Sequence, residues 1–65
     1  MKLDIFKIKL AMARTEKDVH DIAVIMGCTD QNVRRIISGN SCSIKTLGRL
    51  AKAIGCDPIE LVTND

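Results

Sequence analysis

The side chains best suited to chemistry lie in one short segment, residues 29–37. Gln31, Asn32 and Arg35 carry forked donors and acceptors that match base edges and phosphates. At about 100° per residue, a helix through this segment places Val33 and Ile36 on the face opposite Gln31 and Arg35. The pattern indicates a helix that is anchored by one face and exposes the other. The exposed face is equally consistent with recognition of a nucleic acid and with simple solvation.

Local signals at both ends support a helix here. Thr29 can cap the first turn, Gly27 can end a preceding helix, and Gly39 can end this one. Only Cys28 separates Gly27 from Thr29, so the turn is about three residues long, as in a helix-turn-helix. The carboxylate of Asp30 favours the N-terminal end of a helix, and it could instead accept a hydrogen bond from a cytosine amino group. We prefer the role in the first turn.

Apolar residues at helical spacing predict four further helices and no strand. They cover residues 3–14, 18–27 and 43–55, followed by a short helix that opens at Asp57-Pro58 with Glu60 in its first turn. The inward positions are expected to be Ile5, Ile8, Met12, Val19, Ile22, Ala23, Met26, Ile44, Leu47, Leu50, Ala51 and Ile54. The prediction is an all-α, compact five-helix bundle in a single domain, residues 1–65.

The first predicted helix carries a second apolar series. Leu3, Phe6 and Leu10 fall on nearly the opposite side from the inward residues, and Phe6 is the only aromatic residue in the chain. Contiguous apolar patches on small domains often mark association surfaces. We expect these three residues to contact a second copy or another protein. The competing explanation is that the C-terminal segment 59–62 folds over this helix.

The composition is that of a compact globule. Of the 65 residues, 46% are hydrophobic, and the net charge is +2. Basic residues concentrate in the segment 30–52, which holds Arg34, Arg35, Lys45, Arg49 and Lys52. This segment favours a polyanionic partner. No run approaches the roughly 18 apolar residues that span a bilayer, and the N-terminus lacks a signal peptide, so we expect a cytoplasmic protein without membrane contacts.

Neither a metal site nor an enzyme is indicated. Cys28, Cys42 and Cys56 are widely spaced without a C-x-x-C pair, and His20 is the only histidine. Buried free thiols are favoured over a redox switch. His20 is expected to be solvated, with no nucleophile or glycine-rich loop placed to work with it. We therefore expect no cofactor, no metal and no catalysis.

The spacing of the apolar, glycine and cap residues forms a longer pattern. It comprises Ile22-Ala23, Gly27-Cys28-Thr29, Val33, Ile36 and Gly39, then Leu47, Leu50, Ala51, Ile54, Gly55 and Pro58-Ile59-Glu60-Leu61. In residue type and in spacing, this pattern resembles the helix-turn-helix domain of phage Cro and repressor proteins, the lambda-repressor-like fold. The resemblance covers nearly the whole chain, so it is more specific than a lone motif.

The resemblance implies a function and a set of contacts. The third helix would lie in the major groove of double-stranded DNA, with the protein bound as a homodimer. Base contacts are implied for Thr29, Asp30, Gln31 and Arg35, to which we add Asn32. Contacts with the DNA backbone are implied for Asp18, Val19, Asn40, Ser41, Ser43, Lys45 and Thr46, to which we add Arg34. The implied protein is a small, sequence-specific transcriptional regulator of a prokaryote or phage.

Two positions depart from the family pattern. Val19 stands where family members commonly place a glutamine that contacts a phosphate, so that contact falls to backbone N–H groups or is absent. Met12 and Ile37 stand where some members bury an arginine and a glutamate. An apolar pair can replace a buried ion pair without loss of stability, because two charges no longer need desolvation.

The second hypothesis on the same fold is a protein-interaction module that regulates or neutralises a partner protein. The modest net charge supports it, as do apolar residues beyond those that the core needs. These additional apolar residues are Leu3, Phe6, Leu10, Val24 and Ile25. A salt-dependent shift on duplex DNA would separate the two hypotheses.

Overall fold

The computed structural model describes residues 2–39 and 41–63 and contains four α-helices followed by one 3-10 turn. The helices are α1 (Ile5–Arg14), α2 (Val19–Met26), α3 (Asp30–Ser38) and α4 (Ile44–Ile54), and the 3-10 turn is Pro58–Leu61. Within the described residues the only β-type pairings are two isolated antiparallel bridges, Lys2 with Ser41 and Leu3 with Val62. The all-helical class is thereby confirmed for this part of the chain.

Helix α1 begins two residues later than predicted, at Ile5. Asp4 adopts an extended conformation, and its carboxylate accepts a hydrogen bond from the backbone N–H of Lys7 at 3.2 Å. An N-cap residue stands outside the helix, so Leu3 before it is extended and does not follow the helical periodicity. Leu3 pairs with Val62 and is only 4% exposed. The prediction that Leu3 lies on an exposed helix face is therefore wrong.

The predicted fifth helix is a single 3-10 turn. Asp57 accepts a hydrogen bond from the backbone N–H of Ile59 at 3.1 Å, and Pro58 occupies the first helical position. Glu60 completes the capping box by accepting from the backbone N–H of Asp57 at 3.1 Å. Val62 is already extended. The segment between the N-cap Asp57 and the bridge residue Val62 therefore has room for only one turn. Helical segments this short commonly have 3-10 geometry.

The caps of α2 and α4 follow the sequence signals. The side chains of Asp18 and Asp21 exchange hydrogen bonds with each other's backbone N–H at 2.9 and 3.0 Å, which forms a capping box at the start of α2. Gly27 ends this helix with a φ of +72°, a left-handed conformation that glycine adopts without strain. Ser43 caps α4, and Gly55 ends it.

The core lies where the four helices and the 3-10 turn meet. Its buried residues are Leu3, Ile8, Ala11, Ile22, Ala23, Val33, Leu47, Leu50, Ala51, Ala53, Ile54, Leu61 and Val62. Met12, Val19 and Met26 are half-buried and pack against this core. Ile44 was expected to point inward but is 78% exposed. It is the first residue of α4, and helical side chains tilt toward the N-terminus, so its side chain projects past the end of the core.

Candidate nucleic-acid interface

One face fixes helix α3 to the body of the domain. Val33 is fully buried, and Ile36 is half-buried against the core. The Oγ1 atom of Thr29 accepts a hydrogen bond from the backbone N–H of Asn32 at 3.1 Å and so satisfies one of the free donors of the first turn. Before this cap, the N–H of Cys28 donates to the carbonyl of α2 residue Ala23 at 3.0 Å. The turn is thus closed on both sides, and the opposite face of α3 points outward.

The outward face brings together most of the residues that the sequence assigned to base contacts. Thr29, Gln31, Asn32 and Arg35 line a depression of about 210 Å³, and we call these four residues the recognition face. All four are polar: Thr29 is the N-cap of α3, and Gln31, Asn32 and Arg35 lie on its first two turns. Their side chains therefore offer hydroxyl, amide and guanidinium groups to a single ligand surface.

A hydrogen bond within the recognition face orients two of its side chains. Nη2 of Arg35 donates to Oδ1 of Asn32 at 2.5 Å. The amide nitrogen of Asn32 and the other guanidinium N–H groups of Arg35 have no protein partner among residues 2–39 and 41–63. The bond therefore positions both side chains and leaves N–H donors of Asn32 and Arg35 free. The O6 and N7 atoms on the major-groove edge of guanine are acceptors that such donors fit.

Asp30 lies apart from the recognition face and is paired with α2. Its Oδ1 atom lies 3.1 Å from Nδ1 of His20; the side chain of His20 is largely exposed and that of Asp30 is half-buried. This hydrogen bond raises the pKa of His20 above its ordinary value, and the charges of Asp30, Asp18 and Asp21 add to the effect. Asp30 was predicted in the first turn of α3, as observed. His20 was predicted to be solvated, and its pairing with Asp30 was not predicted. No local signal could reveal it, because the two residues belong to different helices.

Helix α4 extends the polar surface beyond α3. A second depression, of about 300 Å³, is lined by Asn32 and Arg35 together with Thr46 and Arg49 of α4. Nη2 of Arg49 donates to the carbonyl of Met26 at the end of α2, at 3.1 Å. Arg49 was not among the predicted contact residues. Its place in the cationic segment was a signal, but only the packing of α3 and α4 against α2 brings it into the same depression as Arg35.

Comparison with known protein families identifies the family to which this chain belongs. A family model described as the Cro/C1-type HTH DNA-binding domain matches residues 7–64, which is most of the chain. The chain belongs to this family. The resemblance to Cro and repressor proteins is thereby confirmed, and with it a domain that binds DNA in the manner of a transcription regulator. Comparison with curated proteins gave no match, and comparison with solved structures gave none.

The backbone-contact residues predicted for this Cro/C1-type domain are spread over several elements. The side chain of Asp18 is engaged in its capping box, where the hydrogen bond from the backbone of Asp21 lowers the pKa of Asp18. Val19 is half-buried and, with Arg34, lines a separate groove beside α1. Ser41, Ser43 and Lys45 are exposed, Thr46 is half-buried, and Asn40 lies outside the described residues.

An exposed apolar patch of this domain lies away from the recognition face. Phe6 is 70% exposed, Leu10 is 50% exposed and Ile59 is 65% exposed, and we call these three residues the apolar patch. Leu10 and Ile59 line one depression, beside the ion pair of Arg14 with Glu60 at 2.5 Å. This hydrogen bond lowers the pKa of Glu60. The C-terminal segment does fold against α1, but it leaves Phe6 uncovered.

Within residues 2–39 and 41–63, none of the three cysteines forms a disulfide, and all three are half-buried. Burial raises the pKa of Cys56. Within residues 2–39 and 41–63, no group of three or more histidine, cysteine and acidic residues is arranged to hold a metal ion. In that same part of the chain, no helix is long and apolar enough to cross a membrane.

Proposed function

We propose that this Cro/C1-type domain acts as a small, sequence-specific transcriptional regulator of a prokaryote or phage, working in the cytoplasm by binding and without catalysis. Helix α3 enters the major groove of duplex DNA. The observation that carries the proposal is the recognition face, whose four polar side chains share one open depression on a single helix. A protruding helix with such a face has the shape and the hydrogen-bonding groups that the major groove accepts.

In the proposed complex, the recognition face contacts bases, with Gln31 and Arg35 as the main determinants of sequence. Asp30, at the start of the same helix, was also assigned a base contact, and its pairing with His20 partly compensates its charge. Contacts with the DNA backbone come from Arg34, Lys45 and the neighbouring residues assigned above. We add Arg49 to this group, because it lines one depression with Arg35 and Thr46. Such contacts position the protein, whereas base contacts specify the site.

The protein is further proposed to bind DNA as a homodimer through the apolar patch. Phe6 and Leu10 are four residues apart on α1 and therefore neighbours on one helix face. Ile59 of the 3-10 turn is exposed beside Leu10. Apolar side chains exposed together favour association, and two copies would recognise two half-sites about one helical turn of DNA apart.

Selection from a random pool of duplexes tests the proposal most directly. The expected result is an enriched, two-fold symmetric sequence that the full chain binds more tightly than random DNA. Affinity for both should fall with salt, because lysine and arginine release counterions from the phosphates that they contact. Enrichment of no sequence, together with salt-independent or undetectable binding, would contradict the proposal.

The alternative is a protein-interaction module on the same fold. It is supported by two exposed apolar residues of α2, Val24 at 66% and Ile25 at 54%. Ile25 lines a groove with Lys52 and Arg49 of α4, and of these three residues only Arg49 is a proposed DNA contact. Val24→Ser with Ile25→Ser adds no charge beside Arg49 and should leave DNA binding unchanged if the domain is a DNA-binding regulator. Loss of a cellular effect in this variant, with DNA affinity intact, would favour the alternative.

A further inference from the structure

A groove lies between α1 and α3, and the proposed DNA contacts do not use it in full. Its volume is about 380 Å³, at the small end of the range of about 300–1,000 Å³ that is typical of small-molecule sites. Four apolar side chains line it, those of Ile5, Met12, Val19 and Ile37. The last three are half-buried, and Ile5 is 36% exposed. The groove therefore offers a mainly apolar surface to a ligand.

Two cations accompany this apolar surface. Lys9 of α1 and Arg34 of α3 both line the groove, and both are exposed. Among residues 2–39 and 41–63, neither side chain has a hydrogen-bond or ion-pair partner, and no acidic residue lines the groove. The remaining polar group, the hydroxyl of Ser38, already donates to the carbonyl of Arg34 at 2.8 Å. The groove thus combines an apolar lining with two unpaired positive charges.

We propose that this groove binds a small amphipathic acid, with its apolar part against Met12, Val19 and Ile37 and its anionic group between Lys9 and Arg34. The charge of the lining selects the ligand class. A neutral apolar ligand would leave both cations unused, whereas an anion of matching shape forms charge-assisted hydrogen bonds with them. A cationic ligand is repelled. The volume limits the apolar part to a medium-length acyl chain or a single ring system.

Met12 and Ile37 make the lining of the groove apolar where α1 faces α3. Both residues line the groove, Met12 from α1 and Ile37 from α3. Charged groups at these two positions would hold water on this surface, whereas the apolar pair leaves a surface from which water is displaced at little cost. The two side chains therefore provide a place for the apolar part of a ligand.

Binding here is coupled to DNA binding, a consequence that rests on the proposed function. Arg34 lines the groove and is also proposed to contact a DNA phosphate. An anion paired with Arg34 removes that contact and adds a negative charge beside the DNA backbone. By linkage, the ligand and DNA then weaken each other's binding by the same factor. The amphipathic acid is accordingly a controlling ligand that releases the regulator from DNA.

Octanoate is a suitable probe, because it carries one carboxylate on a medium-length chain. Added to the full-length protein without DNA, it should cause saturable NMR shifts of the amide signals of Met12, Val19 and Ile37. 1-Octanol, the neutral compound of the same chain length, should bind about tenfold or more weakly, because it lacks the charged group. Lys9→Gln and Arg34→Gln should each weaken octanoate binding by about tenfold. Lys52→Gln, on an exposed position of α4, is the matched control and should change nothing.

The coupling is measured with Lys9→Gln, which keeps every proposed DNA contact. Saturating octanoate should lower the DNA affinity of the wild type by about tenfold, the size of one lost charge-assisted contact, and Lys9→Gln should need about tenfold more octanoate for the same effect. Equal binding of octanol and octanoate, or unchanged octanoate binding by Lys9→Gln, would overturn the site. So would shifts centred on Phe6 and Leu10, or binding to anionic phospholipid vesicles without binding to free octanoate. Because the titration needs no DNA, a failure of the proposed function leaves this test of the site intact.

Discussion

Nδ1 of His20 lies 3.1 Å from Oδ1 of Asp30, and this bond joins the N-terminal turns of α2 and α3. It is the only side-chain hydrogen bond between these two helices within residues 2–39 and 41–63. Asp18 and Asp21 stand on the same helix as His20, and their charges act on it in the same direction. The cations of α4 near α2 lie at its other end, where Arg49 donates to the carbonyl of Met26. The environment of His20 is therefore acidic.

The first prediction is that His20 titrates above its ordinary pKa of 6.5. Because the folded protein raises this pKa, the stability that the pair contributes is fully present below about 6.5 and is lost as the pH rises through the folded value. DNA affinity should fall over the same range, since loss of the proton leaves the charge of Asp30 uncompensated near phosphates. His20 is the only histidine, so its ring signals report the pKa directly by NMR. Asp30→Asn should bring the midpoint back toward 6.5, and a midpoint that does not move would contradict the pair.

The second prediction separates base contacts from phosphate contacts. Arg35→Ala should cost about 1–3 kcal/mol on the selected sequence and relax specificity at one base pair. Lys45→Ala should weaken selected and random DNA alike and reduce the salt slope by about one. Binding isotherms on both duplexes at several salt concentrations measure the two effects. Equal losses on both duplexes for both variants would defeat the assignment of roles.

The third prediction concerns Met12 and Ile37, which line the same groove and pack against the core. Ile37→Glu should destabilise the domain by about 1–3 kcal/mol, because a half-buried carboxylate there has no partner. Adding Met12→Arg to the same chain should recover part of that loss, as expected for residues in contact. Urea unfolding of the wild type, both single variants and the double variant measures the coupling. Strictly additive changes would show that the two side chains do not interact.

The fourth prediction tests the apolar patch. Phe6 is 70% exposed, so Phe6→Lys should change the free energy of unfolding by no more than about 0.5 kcal/mol. If the patch joins two copies, the same variant should sediment as a monomer under conditions in which the wild type is a dimer. Leu3→Lys is the matched contrast, because Leu3 is buried and a lysine there should unfold the domain. A wild type that stays monomeric at high concentration would exclude the dimer.

The fifth prediction uses two glycines in different backbone conformations. Gly48 lies within α4, and a Cβ atom added there would meet nothing within 4 Å. Gly48→Ala should therefore stabilise the domain by about 0.5–1 kcal/mol, through better helix propensity and a less flexible unfolded chain. Gly27 has equally free space but a φ of +72°, so Gly27→Ala should destabilise by about 1–2 kcal/mol. Thermal unfolding of both variants compares them, and a destabilised Gly48→Ala would disprove the argument.

The sequence by itself determined the features that depend on neighbouring residues. The caps at Asp18, Thr29 and Ser43 and the end of α2 at Gly27 were all predicted, because caps and glycine turns act within three or four residues. The faces of α3 followed from helical periodicity, which placed Val33 in the core and Gln31 and Arg35 on the opposite, exposed side.

The tertiary structure decided the features that depend on distant residues. Leu3 is buried because Val62, at the other end of the chain, pairs with it, and a helical wheel has no means of representing that bridge. The same pairing limits the last segment to one 3-10 turn. His20 meets Asp30, and Arg49 approaches Arg35, only because α2, α3 and α4 pack together. Local signals fixed the ends of α2, α3 and α4, whereas the pairing of side chains between elements depends on how the elements pack.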